Sequence, residues 1–224
     1  MQTETTVKQR RLDLKRFTIL ALLTAIAYLS IFVIKLKLFG FLSYEAKDVF
    51  ITLGGFLYGP LAAILISVVT SLLELPTSDT GIIGFVMNAL SSVFFSATAS
   101  WIYRKKRSLL GAILGLICGV FAMTAAMLLW NYLITPLYLH IPRHEVAGML
   151  TTVFLPFNIL KAGLNAALLM LVYKPFTRVL RQMRLLPERQ NASNSTKATI
   201  VVWSLSLLII AACIVSILKI NGVF

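Results

Sequence analysis

Three polar side chains stand where an apolar sequence has little reason to place them. Asn158, Lys161 and Asn165 lie in an apolar run from about residue 153 to residue 173, long enough to cross a bilayer. Their spacing of three and four puts them on one face of a helix. An ammonium in such a run costs about 2.5–3.5 kcal/mol on insertion scales, so the stripe must face protein, water or a ligand. Two plainer roles compete with ligand binding: Lys161 could snorkel to the interface, or the amides could only glue helices together. Further amides, Asn88 and Asn131, stand in neighbouring runs, with Phe39, Phe41, Tyr44, Trp130 and Tyr138 in or beside the connecting loops. Amides offer donors and acceptors, and aromatic walls stack on a flat face. One buried cation would polarise a ring carbonyl or neutralise an acid. The chemistry open to this set is recognition of a flat, polar-edged organic molecule.

Catalytic chemistry has less support. The sequence contains no Walker-type loop, nucleophile elbow, HExxH or paired-carboxylate arrangement, which argues against ATP hydrolysis by the chain itself and against an enzyme. Asp48, Glu74 and Asp79 fall at span ends or in loops, where acids need no function. No acid lies in the middle of a span to carry a coupled proton. His140 and His144 share an outer loop expected over residues 135–150, with Pro136 and Pro142, but have no carboxylate-histidine motif, so no metal is expected. Cys118 and Cys213 sit in apolar spans as small hydrophobes. A membrane enzyme or a scaffold protein remains the alternative of a different class.

The elements that must position these residues follow from composition. The chain has 224 residues, 58% of them hydrophobic and 13% charged, with a mean hydropathy of +0.88, whereas a soluble domain carries about 25% charged residues. The net charge of +13 does not mark a nucleic-acid partner, because the bases cluster at the ends of apolar runs and read as topology signals. Apolar runs fall near residues 17–34, 48–75, 82–103, 109–134, 153–173 and 200–218. The second is interrupted at Gly59-Pro60. Read as two spans turning there, it puts the basic clusters at 8–16, 104–107 and 174–197 on one side, and the positive-inside rule prefers that arrangement. The N-terminus is then cytoplasmic. Ser92, Ser96 and Ser100 repeat at four residues, as do Gly111, Gly115 and Gly119, a spacing that suits close helix packing. The expected architecture is all-α, a polytopic membrane helical bundle. It divides into a basic N-terminus (1–16), a six-helix membrane domain (17–184), a polar linker (185–198) and a seventh, accessory transmembrane helix (199–219).

Four motifs resemble the substrate-binding S components of energy-coupling-factor vitamin transporters, and most of all their riboflavin-specific branch. They are Gly54-Gly-Phe-Leu-Tyr-Gly-Pro60, Thr80-Gly-Ile-Ile-Gly-Phe-Val-Met-Asn88, Asn131-Tyr-Leu-Ile-Thr-Pro-Leu-Tyr138 and Leu155-Pro-Phe-Asn-Ile-Leu-Lys161. Ala21-Leu-Leu-Thr-Ala25 is similar to the family's small-residue motif on the first helix, so Ala21 and Ala25 are expected to face a membrane-embedded coupling subunit. The resemblance covers about residues 17–180. It implies a bacterial plasma-membrane subunit that captures riboflavin, or FMN, from outside, for uptake driven by two separate ATPases. Riboflavin would be cargo, with no cofactor. It implies contacts from Asn131, Asn158 and Lys161, and closure by the loop around Tyr44 and by Thr80, Gly81 and the residues up to Gly84. Asn88 and Tyr138, from the motifs and the polar set above, complete the expected site. The seventh span and its linker lie outside the usual six-helix pattern, and the loop at 42–48 departs from the riboflavin branch, which leaves another vitamin such as pantothenate as the alternative cargo.

Overall fold

The structure, a computed structural model, describes residues 2–39, 42–78, 81–182 and 195–220. Thr80, Asp79 and most of the expected linker lie outside the described residues. Helix α1 (Gln2–Val33) carries the basic N-terminus straight into the first apolar run. The aromatic and charged segment after it forms an antiparallel hairpin of β1 (Lys35–Phe39) and β2 (Leu42–Glu45), with Lys35 opposite Glu45 and Leu36 opposite Tyr44. Then come α2 (Lys47–Tyr58), α3 (Pro60–Glu74), α4 (Gly81–Lys105), α5 (Leu109–Leu139), α6 (Arg143–Met149), one π turn (Leu150–Phe154), α7 (Leu155–Gln182) and α8 (Ser195–Ile220).

The break at Gly59-Pro60 is a helical turn, as the charge pattern requires. Gly59 has φ +96°, a region glycine enters without the Cβ clash. Its N–H bonds Gly55 O at 2.7 Å, and Pro60 opens α3 at a position where no N–H is needed. The two helices fold back on each other, so the first residue of α2 meets the last of α3. Helix α2 has 12 residues, about 18 Å of rise, against about 30 Å of hydrocarbon. It does not cross alone. Buried strand β2 precedes it against α7. Six other helical stretches among the described residues are long and apolar enough to span.

Helices α2 and α4 run parallel along a polar seam. Thr52 Oγ1 donates to Asp48 O (2.6 Å) and lies 2.8 Å from Ser96 Oγ, so Ser96 supplies the proton of that second bond. Ser92 Oγ donates to Asp48 Oδ1 at 2.5 Å. The four-residue serine interval is the mark of this seam, and Ser92, Ser96 and Ser100 are all fully buried. Helices α4 and α5 approach closely, as their small residues led us to expect. A Cβ on Gly115 would stand 2.6 Å from Ala99 O, and one on Gly119 2.8 Å from Phe95 O.

One expectation is corrected. Residues 135–150, read as a loop, are largely helical. Helix α5 continues through Pro136 to Leu139, and α6 and the π turn lead without a break into α7. Proline removes one backbone bond, and so close to the helix end the packing of buried Asn131 and Thr135 outweighs that loss. His140, at φ 55°, closes α5 in the left-handed conformation.

Many of the exposed side chains are large and apolar, among them Leu61, Leu65, Phe121, Leu137 and Leu208. With no water-facing role for so broad an apolar surface, these residues face lipid, and the chain is a multi-pass membrane protein. We refer to its two ends as the hairpin end, bearing β1 and β2, and the basic end, bearing Gly59 and Arg104–Arg107.

Candidate functional site

Helix α7 presents Asn158, Lys161 and Asn165 on its protein-facing side, and all three are buried. The stripe is therefore turned away from lipid, and a snorkelling Lys161 is ruled out by its 4% exposure. The three residues do different things. Asn165 is fully engaged. Its amide nitrogen donates to Glu45 O (3.3 Å) and to Asp48 Oδ2 (3.2 Å), and its oxygen accepts from the Tyr44 hydroxyl (3.1 Å). Asn158 donates to Phe154 O at 2.8 Å. Among the described residues its side-chain oxygen has no hydrogen bond, and Lys161 has neither a hydrogen bond nor an ion pair. Lys161 does act on Glu45 through space.

Beside this stripe lies a buried charge cluster that the sequence did not announce. Lys47, fully buried, donates to Glu74 and stands 2.9 Å from Glu45 Oε2. Lys35 reaches Glu45 Oε1 at 4.0 Å from the more exposed side. Asn88 Nδ2 donates to Glu74 Oε1 at 3.2 Å. Asp48 and Glu74, read from sequence as acids at harmless span ends, are thus buried at the heart of the hairpin end, as is Glu45. No motif marks them. The signal lies in the turn: a helical pair folding at Gly59-Pro60 must bring residues near 47 and 74 together.

Electrostatics within the cluster follow from this geometry. Burial alone would raise the Glu45 carboxyl, but Lys47, Lys161 and the hydrogen bonds around it outweigh that and hold it at about 2. Burial first, then the adjacent Asp48 carboxylate, pushes the Tyr44 phenol well above its ordinary range, so it stays a donor to Asn165. A buried ion cluster adds little net stability against an apolar core, while losing one member costs about 3–5 kcal/mol. Its role is to fix which groups meet.

The expected site residues do not all come together. Tyr44 and Asn88 belong to the network that joins β2, α2, α3, α4 and α7. Tyr44 is not a free lid residue: it is 1% exposed and packed with Val146, Phe154, Phe157 and Leu164. Asn158 and Lys161 line α7 with unused bonding capacity. Asn131 is buried on α5, where its nitrogen donates to Met127 O (2.7 Å) and its oxygen accepts from Thr135 (3.0 Å). Among the described residues it makes no hydrogen bond to the α7 stripe. Tyr138 is half-buried in the last turn of α5, and Gly81, exposed at φ 56°, opens α4. Ala21 and Ala25 are exposed on α1, on the side opposite buried Leu23, Ala27 and Ile31.

The profile of the family described as ECF transporter, substrate-specific component, matches residues 15–173. The chain is similar to the "Riboflavin transporter RibU" of Staphylococcus aureus (strain TCH60), 30% identical over 75% of this chain and 94% of that one. It is also similar to the "Riboflavin transporter FmnP" of Bacillus subtilis (strain 168), 28% identical over 77% and 97%. A solved structure described as "Structure and mechanism of the S component of a bacterial ECF transporter" superposes with a TM-score of 0.65 at 30% identity, over 75% of this chain and 98% of that chain. The motifs on α2–α3, α4, α5 and α7 therefore sit in a shared fold, and the chain belongs to the family of substrate-specific components of ECF transporters.

Proposed function

We propose that this chain captures riboflavin at the hairpin end for uptake across the bacterial plasma membrane. One observation carries the reading: the Lys161 side chain is buried, and its ammonium, within the field of Glu45, makes no direct hydrogen bond or ion pair among the described residues. One turn away, the Asn158 oxygen is also unused. An unpaired buried cation is unfavourable, and a ligand that accepts from Lys161 while donating to Asn158 relieves it. The pyrimidine edge of an isoalloxazine ring, with carbonyls flanking an N–H, has that order of groups. Asn131 and Tyr138 on α5, Asn88 and Gly81 on α4, and Tyr44 through Asn165, complete the site, with Thr80 next to Gly81 in the sequence. The names of the relatives support riboflavin as cargo. Glu45, Asp48 and Glu74 nearby favour the neutral vitamin over an anionic cargo.

The basic end faces the cytoplasm, by the positive-inside rule, and the N-terminus with it. Transport depends on separate chains, a membrane-embedded coupling subunit and two ATPases, with Ala21 and Ala25 on the docking face of α1. The chain itself is a binding subunit and not an enzyme. Purification in mild detergent from cells grown with riboflavin tests this directly. Flavin absorbance should co-elute with the protein, and a competition panel should show displacement by riboflavin and not by pantothenate. Displacement of the bound ligand by pantothenate instead would overturn the cargo assignment.

A further inference from the structure

Helix α8 lies beyond the region matched by the family, which ends at residue 173, so binding in the family does not require it. Its place in this chain is specific. It packs along α7 and touches β1. Val202, Ser206, Ile210, Cys213 and Ile217 form its inward stripe at spacings of four, four, three and four, while Leu205, Leu208 and Val215 are more than half exposed. Val202 meets the cluster around Met170 and Tyr173. At the other end, Cys213 is buried in one cluster with Leu42, Tyr44, Phe157 and Leu164, and Ile217 packs against it. Leu42 and Tyr44 are the apolar contacts that seat β2 on α7, beside the hydrogen bond from Asn165 to the Glu45 carbonyl.

We propose that α8 is a strap on the hairpin: through Cys213 and Ile217 it backs the floor on which β2 rests, and so sets how readily the binding site opens. The inference rests on the reading that the hairpin covers the riboflavin site. The strap leaves the contacts of Asn158 and Lys161 untouched, so it acts on the rate of opening and not on ligand recognition. The added helix would slow escape of captured vitamin until a partner chain releases it.

The test compares the full chain with one ending at residue 194, measuring riboflavin dissociation from fluorescence recovery on dilution. Removing the apolar contacts of Cys213 and Ile217 should speed dissociation about tenfold, with binding retained. Dissociation within twofold of the full chain would overturn the proposal. If the shortened chain does not fold, full-length Ile217→Ala and Cys213→Ala decide. Both should dissociate faster, whereas lipid-facing Val215→Ala should not; equal rates in all three would overturn it. A ligand-free arm uses Ser43→Cys in β2 with Cys118→Ala; buried Cys213 is kept, and labelling of the same chain without Ser43→Cys is subtracted. Maleimide labelling should be faster without α8, and equal labelling would count against the strap. Riboflavin failing to bind the intact chain would count against the function, and this labelling would still judge the strap.

Discussion

The hydroxyl of Tyr44 donates to Asn165 Oδ1 at 3.1 Å, and this bond joins the hairpin to the middle of α7. Asn165 is held in turn by Asp48 and by the Glu45 carbonyl. One amide therefore fixes β2 and the start of α2 against the helix that carries Lys161. Replacing it with leucine, of similar size, leaves a phenol, a carboxylate oxygen and a carbonyl without their partner, at about 1–3 kcal/mol for each group left unpaired. Asn165→Leu should lower the melting temperature in detergent and weaken riboflavin binding together. A variant with unchanged melting but weaker binding would make Asn165 a ligand contact instead.

Lys47 and Lys161 are both buried lysines, and they should behave in opposite ways. Lys47 pairs with Glu45 and Glu74. Lys47→Met takes the buried ammonium from both Glu45 and Glu74, leaving them only Lys35 and Asn88, and should destabilise the protein by about 3–5 kcal/mol. Adding Glu74→Gln should recover part of that loss. Thermal melting of the single and double variants reads both effects, and equal melting of the two would contradict the ion cluster.

The acid side of the stability profile should depend on Glu45. Its folded carboxyl lies at about 2 against an ordinary 4.5, so its contribution is present above the ordinary value and lost as pH falls towards the folded one. Lys35, Lys47, Lys161 and Glu74 are the charged groups around it. Melting temperature should drop between about pH 5 and about pH 2, and Glu45→Gln should flatten that drop. An equally steep drop in the variant would place the acid sensitivity elsewhere.

The α4–α5 seam should be intolerant of bulk. A Cβ at Gly115 already meets the Ala99 carbonyl at 2.6 Å, and backbone cannot yield as a side chain can. Gly115→Val should cost about 1–3 kcal/mol by forcing the helices apart, whereas Gly148→Ala, with nothing within 4 Å of the added atom, should be silent. Comparable folded yields for Gly115→Val and wild type would contradict the close approach.

Much of the bundle was legible because membrane spans write themselves in hydropathy, and because Gly59 and Pro60 carry a turn that charge placement demands. The polar stripe on α7 was legible by period alone. What its members do was not: Asn165 and Lys161 differ only in which partners lie opposite, and those partners, Tyr44, Glu45 and Asp48, are more than a hundred residues away in the chain. The buried acids were missed because an acid at a span end is ordinarily solvated. Here the span that follows Asp48 is short, and the hairpin closes over it. Residues 135–150 were misread because Pro136 signals a break that tertiary packing overrides.

Titration of purified wild-type protein and Lys161→Met with riboflavin, followed by quenching of the flavin fluorescence, tests the central claim most directly. Wild type should show saturable quenching in the micromolar range or below. Lys161→Met should bind about 10–100-fold more weakly, the value of a hydrogen bond to a charged group. Its melting temperature without ligand should fall less than that of Lys47→Met, because Lys161 acts on Glu45 only through space while Lys47 pairs with it directly. Equal affinity in the two proteins, or no saturable quenching by wild type, would contradict the account.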